Sequence, residues 1–339
     1  MKKLLSSFLA IVLVLSLVAC SGNSKQEDEK KLVVYSPNSE DMINVLIPMF
    51  EKETGIKVEL VSAGTGELLK RIESEADNPY ADVLFGGSKA TVLGYPDLFQ
   101  KYVSTNNDAM LEGHKNVEGF LTPYVADGSV ILVNTDIIGD IKVEGYEDLL
   151  NPALKGKIAA ADPISSSSAF AQLTNQLLAM GGDYESEKGW KYVEELVKNL
   201  DGKVASSSGN VHKSVADGEY PVGLTYEDPS AAYVRDGAPV KIVYPKEGTV
   251  YLDAGVEIIK GAKHMENAKK FVDFVTSKEA QDSLGTQLTN RPLRADAKLG
   301  DHMTPLDQIN IIKEDEEYVK NNRDKIIEKY KEIFTSVQE

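Results

Sequence analysis

Five short runs of small, hydroxyl-bearing and glycine residues are the parts of this chain best suited to chemistry. They are Ser36-Pro37-Asn38, Ser62-Ala63-Gly64-Thr65-Gly66, Gly86-Gly87-Ser88, Ser165-Ser166-Ser167-Ser168 and Ser206-Ser207-Ser208-Gly209-Asn210. None contains a lysine or arginine. Small side chains let a guest approach the backbone, and hydroxyls beside the free amide hydrogens of a helix start can hold an anion without a cationic side chain. Turns and helix caps draw on the same residue types, so each run taken alone fits a structural role equally well. Their joint occurrence points to binding. A sixth run, Thr225-Tyr226-Glu227-Asp228, adds two acids that suit a cationic group or a hydroxyl, or else a solvated turn before Pro229. The ligand set read from these runs is Ser36, Asn38, Gly64, Thr65, Gly66, Ser88, Ser166, Ser167, Ser168, Ser207, Ser208, Tyr226, Glu227 and Asp228. Asp253 fits a structural cap better, and Tyr35, Tyr124 and Tyr244 suit either a cleft wall or a core.

Catalytic patterns are missing from the sequence. It has no G-x-S-x-G elbow, S-x-x-K, H-E-x-x-H or Walker loop. His114, His212, His264 and His302 lie far apart without metal-ligand spacing. No metal and no cofactor is therefore expected. The remaining enzymatic reading is a secreted hydrolase built on a serine cluster.

The elements that must carry these runs alternate. Leu32-Val33-Val34-Tyr35 reads as a buried strand. Asn38 and Ser39 are good caps for a helix whose apolar face is Met42, Val45, Leu46, Met49 and Phe50. Pro48 should kink that helix and Gly55 should end it. Ile56, Val58 and Leu60 alternate as a second strand. Leu68, Leu69, Ile72 and Ala76 form the next helical face, and Ala81 to Phe85 is a third strand stopped by Gly86-Gly87. This β-α-β-α-β order implies a parallel sheet with helices on both faces. A second set begins at Gly128, with strands at Val130–Val133, Ile158–Ala161, Val222–Tyr226 and Val240–Tyr244 and helices between them. A further strand lies near Val250–Ile259, and a last helix carries Ile326, Ile327, Tyr330, Ile333 and Phe334 on one side. In such sheets ligands gather beyond the carboxyl ends of the strands, where all six runs fall.

The chain has 339 residues, enough for two domains or two lobes, and a formal net charge of -16. An acidic body of this kind is repelled by nucleic acid and by anionic lipid, so no nucleic-acid partner is expected. Lys2 and Lys3 precede an apolar stretch from Leu4 to Ala19, and Leu17-Val18-Ala19-Cys20 closes it. That is the layout of a secretory signal, too short for a membrane span. Cys20 is the sole cysteine, and its place resembles the lipobox of bacterial lipoproteins, which are cut before the cysteine and acylated on it. The expectation is a signal peptide over 1–19, lipidation at Cys20, a polar tether over 20–31, and a mature protein on the outer face of the cytoplasmic membrane.

Longer segments resemble a known family. VVYSPNSEDMINVLIPMFEKETGIKVEL, GTGELLKRIESEADNPYADVLFGG, LVNTD, LNPALKGKIAAADP and GVEIIKGAKHMENAKKFVDFV are similar to the solute-binding proteins of ABC importers. The branch is the one that includes ferric-iron, thiamine, sugar-phosphate and 2-aminoethylphosphonate receptors. The resemblance implies an α/β architecture of the type II periplasmic-binding-protein kind: two doubly wound lobes joined by a two-strand hinge, with a ligand cleft between them. It implies lobe 1 over 32–126 and 249–339, lobe 2 over 127–248, and crossings near Tyr124-Val130 and Tyr244-Tyr251. A monomer that closes on a solute and passes it to an ABC permease and its ATPase follows from it, without catalysis. Ferric receptors of the branch carry two adjacent tyrosines near the strand that ends at Tyr226. Here Glu227 stands in the second place, which disfavours phenolate-bound iron, and the serine-rich helix starts fit a phosphonate or phosphorylated solute better. Iron through other ligands and thiamine stay as alternatives.

Overall fold

The computed structural model describes residues 30–338, so Cys20 and the expected signal lie outside the described residues. Strand β1 (Lys31–Ser36) pairs in parallel with β2 (Lys57–Ser62) and with β3 (Val83–Ser88). Helix α1 (Glu40–Thr54) and helix α2 (Thr65–Ser74) connect them. Side chains alternate across β1. Leu32 and Val34 pack under α1 with Met42, Leu46 and Phe50, whereas Val33 and Tyr35 pack under α2 with Leu68, Leu69 and Ile72. Both faces of the sheet are thereby covered, as a doubly wound sheet requires. Gly55 ends α1 in the left-handed conformation (φ 68°), as its position predicts. Pro48 lies inside α1, which remains one helix from Glu40 to Thr54.

The longest strand, β4 (Leu121–Asn134), was legible only as Val130–Val133. Pro123, Asp127 and Gly128 mask its amino-terminal half, and its register shifts between Pro123 and Val125. Leu121 to Gly128 pair with β8 (Tyr251–Ile258) in one sheet. Ser129 to Asn134 pair with β6 (Val222–Tyr226) and β7 (Val240–Val243) in the other. Strand β5 (Ile158–Ala159) lies outside β6. The chain passes back between the sheets where β7 gives way to β8. These two crossings form the hinge of a mixed α/β fold with two lobes.

In the second sheet Ile131 and Val133 face α4 (Ser167–Gly181) and α5 (Glu187–Leu200), whereas Leu132 faces α6 (Ser208–Ala216). The last helix, α10 in chain order (Glu316–Gln338), buries Val319, Ile326 and Tyr330 in this same core, beside Phe170 and Trp190. The resemblance implies lobe 1 for all of 249–339. Residues 316–338 pack instead on the second lobe, because their apolar stripe matches the open face of α4 and α5. The first core is completed by helices α8 (Met265–Val275) and α9 (Lys278–Thr286).

Glu257 on β8 is fully buried, and neither carboxyl oxygen has a hydrogen-bond partner. Burial pushes its carboxyl well above the ordinary 4.5, so the folded chain keeps a proton that the unfolded chain gives up. Stability from this group is complete below pH 4.5 and falls as pH rises toward the raised folded value. Glu257→Gln is expected to remove that slope, and Glu257→Met to add about 1–3 kcal/mol at neutral pH. Thermal melts between pH 4 and pH 8 check both.

Candidate ligand cleft

The first wall is built from three strand ends. Ser36 Oγ donates to the Phe85 carbonyl at 2.6 Å and accepts from the Asn38 amide at 3.1 Å. Asn38 Nδ2 donates to the same carbonyl at 3.0 Å, and its Oδ1 accepts from the Tyr124 phenol at 3.0 Å. Gly86 and Gly87 follow with φ of 110° and 99°, a region L side chains rarely enter. A Cβ at Gly86 would meet Asn38 Oδ1 at 2.5 Å, and one at Gly87 would meet Thr65 Cγ2 at 2.8 Å. Glycine here lets the loops after β1, β2 and β3 close on one another. The strand was expected to stop before these glycines. It continues through them as an irregular stretch to Ser88, whose Oγ caps helix α3 (Lys89–Val92) by accepting from Thr91 N at 3.3 Å. Gly64 caps α2 with no side-chain bond, so the Thr65 and Gly66 amides are first-turn donors without a partner inside the helix.

The second wall joins two serine runs. Ser165 Oγ donates to the Ser206 carbonyl at 3.0 Å. Ser166 caps α4, accepting from Ala169 N at 3.3 Å, and its hydroxyl lies 3.2 Å from that of Ser168. Ser167 is exposed. Ser207 caps α6 with extended backbone and no side-chain bond, and of the first-turn amides Asn210 already donates to the Ser207 carbonyl at 3.3 Å, which leaves those of Ser208 and Gly209. Ser208 hydrogen-bonds Tyr226, whose phenol is pushed up to about 12 by burial and by the charges of Asp127 and Asp228. His212 packs edge-on against Tyr226 at 6.0 Å, and burial holds its imidazole below 6.5.

At the hinge, helix α7 (Glu227–Arg235) starts where β6 ends. The Asp228 amide donates to Asp127 Oδ1 at 3.2 Å, and Thr289 Oγ1 donates to Asp228 Oδ1 at 2.6 Å. Burial, then the neighbouring acids, pushes Asp127 well above the usual carboxylate range. Asp228 is raised as well, chiefly by burial, against hydrogen bonds from Thr289 and Asn290. The pair therefore holds protons more readily than exposed aspartates do, and a cation arriving beside it would displace them.

Glu227 is neither a solvated turn residue nor available to a guest. Its side chain is 1% exposed, and its oxygens already accept from Arg291 and from the Tyr244 phenol. Of the two acids read from the sequence, Asp228 keeps the freer carboxylate. Asp127 was missed, although an acid inside the run Val125-Ala126-Asp127-Gly128-Ser129-Val130 was a usable signal. Arg291 and Thr289 had none, since they reach the site from more than sixty residues beyond Glu227 and Asp228. Asp253 is engaged by His114 Nδ1 at 2.8 Å, and Tyr35 by Glu75. Among the described residues, no group of three or more histidine, cysteine, aspartate or glutamate side chains is placed to hold a metal ion.

Residues 32–286 match the family model described as bacterial extracellular solute-binding protein. The chain belongs to this family. A solved relative is the periplasmic binding protein AfuA of Actinobacillus pleuropneumoniae, with fructose-6-phosphate bound. It is 28% identical, with a TM-score of 0.73 over 90% of this receptor and 98% of AfuA. The iron uptake protein A1 of Synechocystis is 28% identical over 80% of this receptor and 78% of its own length. A putative 2-aminoethylphosphonate-binding periplasmic protein of Salmonella typhimurium is 25% identical over 74% of each chain. The receptor's relatives are extracytoplasmic binding proteins of ABC transport, not enzymes. Their named solutes span iron, a phosphonate and a sugar phosphate.

Proposed function

We propose that this chain is the lipid-anchored receptor of an ABC importer and that its solute is a small phosphonate or phosphorylated organic compound. The observation that carries the solute class is the set of helix starts at α2, α4 and α6. Each brings first-turn amides, hydroxyls of Thr65, Ser166, Ser167, Ser168, Ser207 or Ser208, and no basic side chain in its capping loop. Asp127 and Asp228 suit an amine or hydroxyl at the far end of the same solute. Closure of the lobes over the guest would present a distinct, loaded shape to the permease. The anchor is Cys20, and Cys20→Ser should release the protein into the medium.

A thermal-shift screen tests the solute. A ligand that binds only the folded receptor raises its melting point. 2-Aminoethylphosphonate, fructose 6-phosphate or another phosphorylated metabolite should give a rise of several degrees, and thiamine and ferric citrate should not. A rise with ferric citrate alone would return the iron reading.

A further inference from the structure

The two lobes meet in a buried ion pair whose carboxylate lies between Tyr226 and Asp228 in the chain. Glu227 opens α7 in the second lobe, and Arg291 lies in β9 (Arg291–Pro292), which pairs with β4 at Ala126 in the first sheet. Arg291 Nε donates to Glu227 Oε2 at 2.7 Å, and Nη2 donates to Oε1 and, at 2.8 Å, to the Thr304 carbonyl. The Tyr244 phenol donates to the same Oε1 at 2.5 Å, and the guanidinium carbon lies 5.2 Å from the centre of the Tyr251 ring. Tyr244 and Tyr251 bracket the second crossing, and Ala126 is on the first. Both crossings are thus tied to one guanidinium–carboxylate pair, each side chain of which is 1% exposed.

Stability alone does not account for such a pair. Burying two charges costs as much as their attraction returns, and apolar replacements of similar volume are often neutral or stabilising. What an apolar pair lacks is direction, since two parallel bonds from a planar guanidinium admit one relative orientation. Glu227 sits between Tyr226 and Asp228, and the Asp228 amide bonds Asp127, one residue beyond Ala126. Any rotation of Glu227 against Arg291 therefore moves those three groups relative to one another.

We propose that Glu227 and Arg291 are positioning residues: they form the pivot of the hinge and hold Tyr226 and Asp228 in register with Asp127 for solute capture. The binding consequence rests on the function proposed above, whereas the pivot itself does not.

Two readouts separate these. In the Cys20→Ser background, spin labels at Lys52→Cys on α1 and Lys241→Cys on β7 report the distance between the lobes by double electron–electron resonance. The unaltered pivot should give one narrow distribution without added solute. Glu227→Leu combined with Arg291→Met should melt within a few degrees of that protein, yet broaden the distribution at least twofold and weaken 2-aminoethylphosphonate binding at least tenfold. An unchanged distribution overturns the pivot. If 2-aminoethylphosphonate does not bind the unaltered receptor, the distances alone decide the pivot and the solute reading fails separately. Should the double variant not fold, Glu227→Gln decides: broadening supports the pivot, and a native distribution at a lowered melting point leaves the pair a folding element only.

Discussion

Replacing Gly86 by alanine is expected to cost about 2–4 kcal/mol and to abolish measurable solute capture. Two effects add. The residue is held at φ 110°, where an L side chain is strained. The new methyl would also lie 2.5 Å from Asn38 Oδ1 and 2.9 Å from its Cγ. Asn38 cannot swing aside without loss, because it is held at both ends, by the Tyr124 phenol and by the Phe85 carbonyl. Relief of the clash would open the junction of the three loops that form the first wall. Denaturant unfolding together with titration of the solute found by thermal shift measures both losses. Native stability with native affinity would mean that the three loops are not locked together at Gly86.

Asp82→Ala should be the most destabilising single change in the first lobe, at about 3–5 kcal/mol. Asp82 is fully buried. Its Oδ2 accepts from the Val33 amide at 2.8 Å and lies 2.8 Å from His264 Nδ1, and its Oδ1 accepts from the His264 amide at 2.9 Å. Its own backbone bonds Val33 and Ile259. The carboxylate therefore joins β1 to the start of α8, while the backbone of the same residue ties β1 to the residue after β8. Truncation leaves the Val33 amide without an acceptor in the core and loosens the anchor of α8. Asp82→Asn, which keeps one acceptor, should lose roughly half as much. Chemical denaturation of the three proteins gives the order, and an alanine variant as stable as the asparagine variant would contradict it.

Local pattern carried most of the fold. Leu32 to Tyr35, the α1 face through Phe50 and the α2 face through Ile72 each satisfy a period that one element alone can show. The serine runs were legible for the same reason, since capping and close approach are short-range demands. What depended on distant partners was not legible. The first half of β4 reads as a loop because Pro123, Asp127 and Gly128 break its alternation, and only its pairing to β8 makes it a strand. Glu227 and Asp228 are adjacent acids in the sequence, yet Arg291 takes one and Thr289 touches the other. Nothing near residue 227 announces that division. The apolar stripe of α10 was visible, but a stripe does not name the core it will join, and it joined the second lobe.

The central claim is that the glycine-capped start of α2 in the first lobe and the serine-rich starts of α4 and α6 in the second hold an anionic organic solute. Native mass spectrometry of the receptor, isolated from its own cells and sprayed without denaturation, tests it most directly. The account predicts one small adduct per chain whose mass, after release by collision, fits a phosphonate or phosphate ester. An adduct of iron, with the visible absorption of a ferric phenolate, would contradict it.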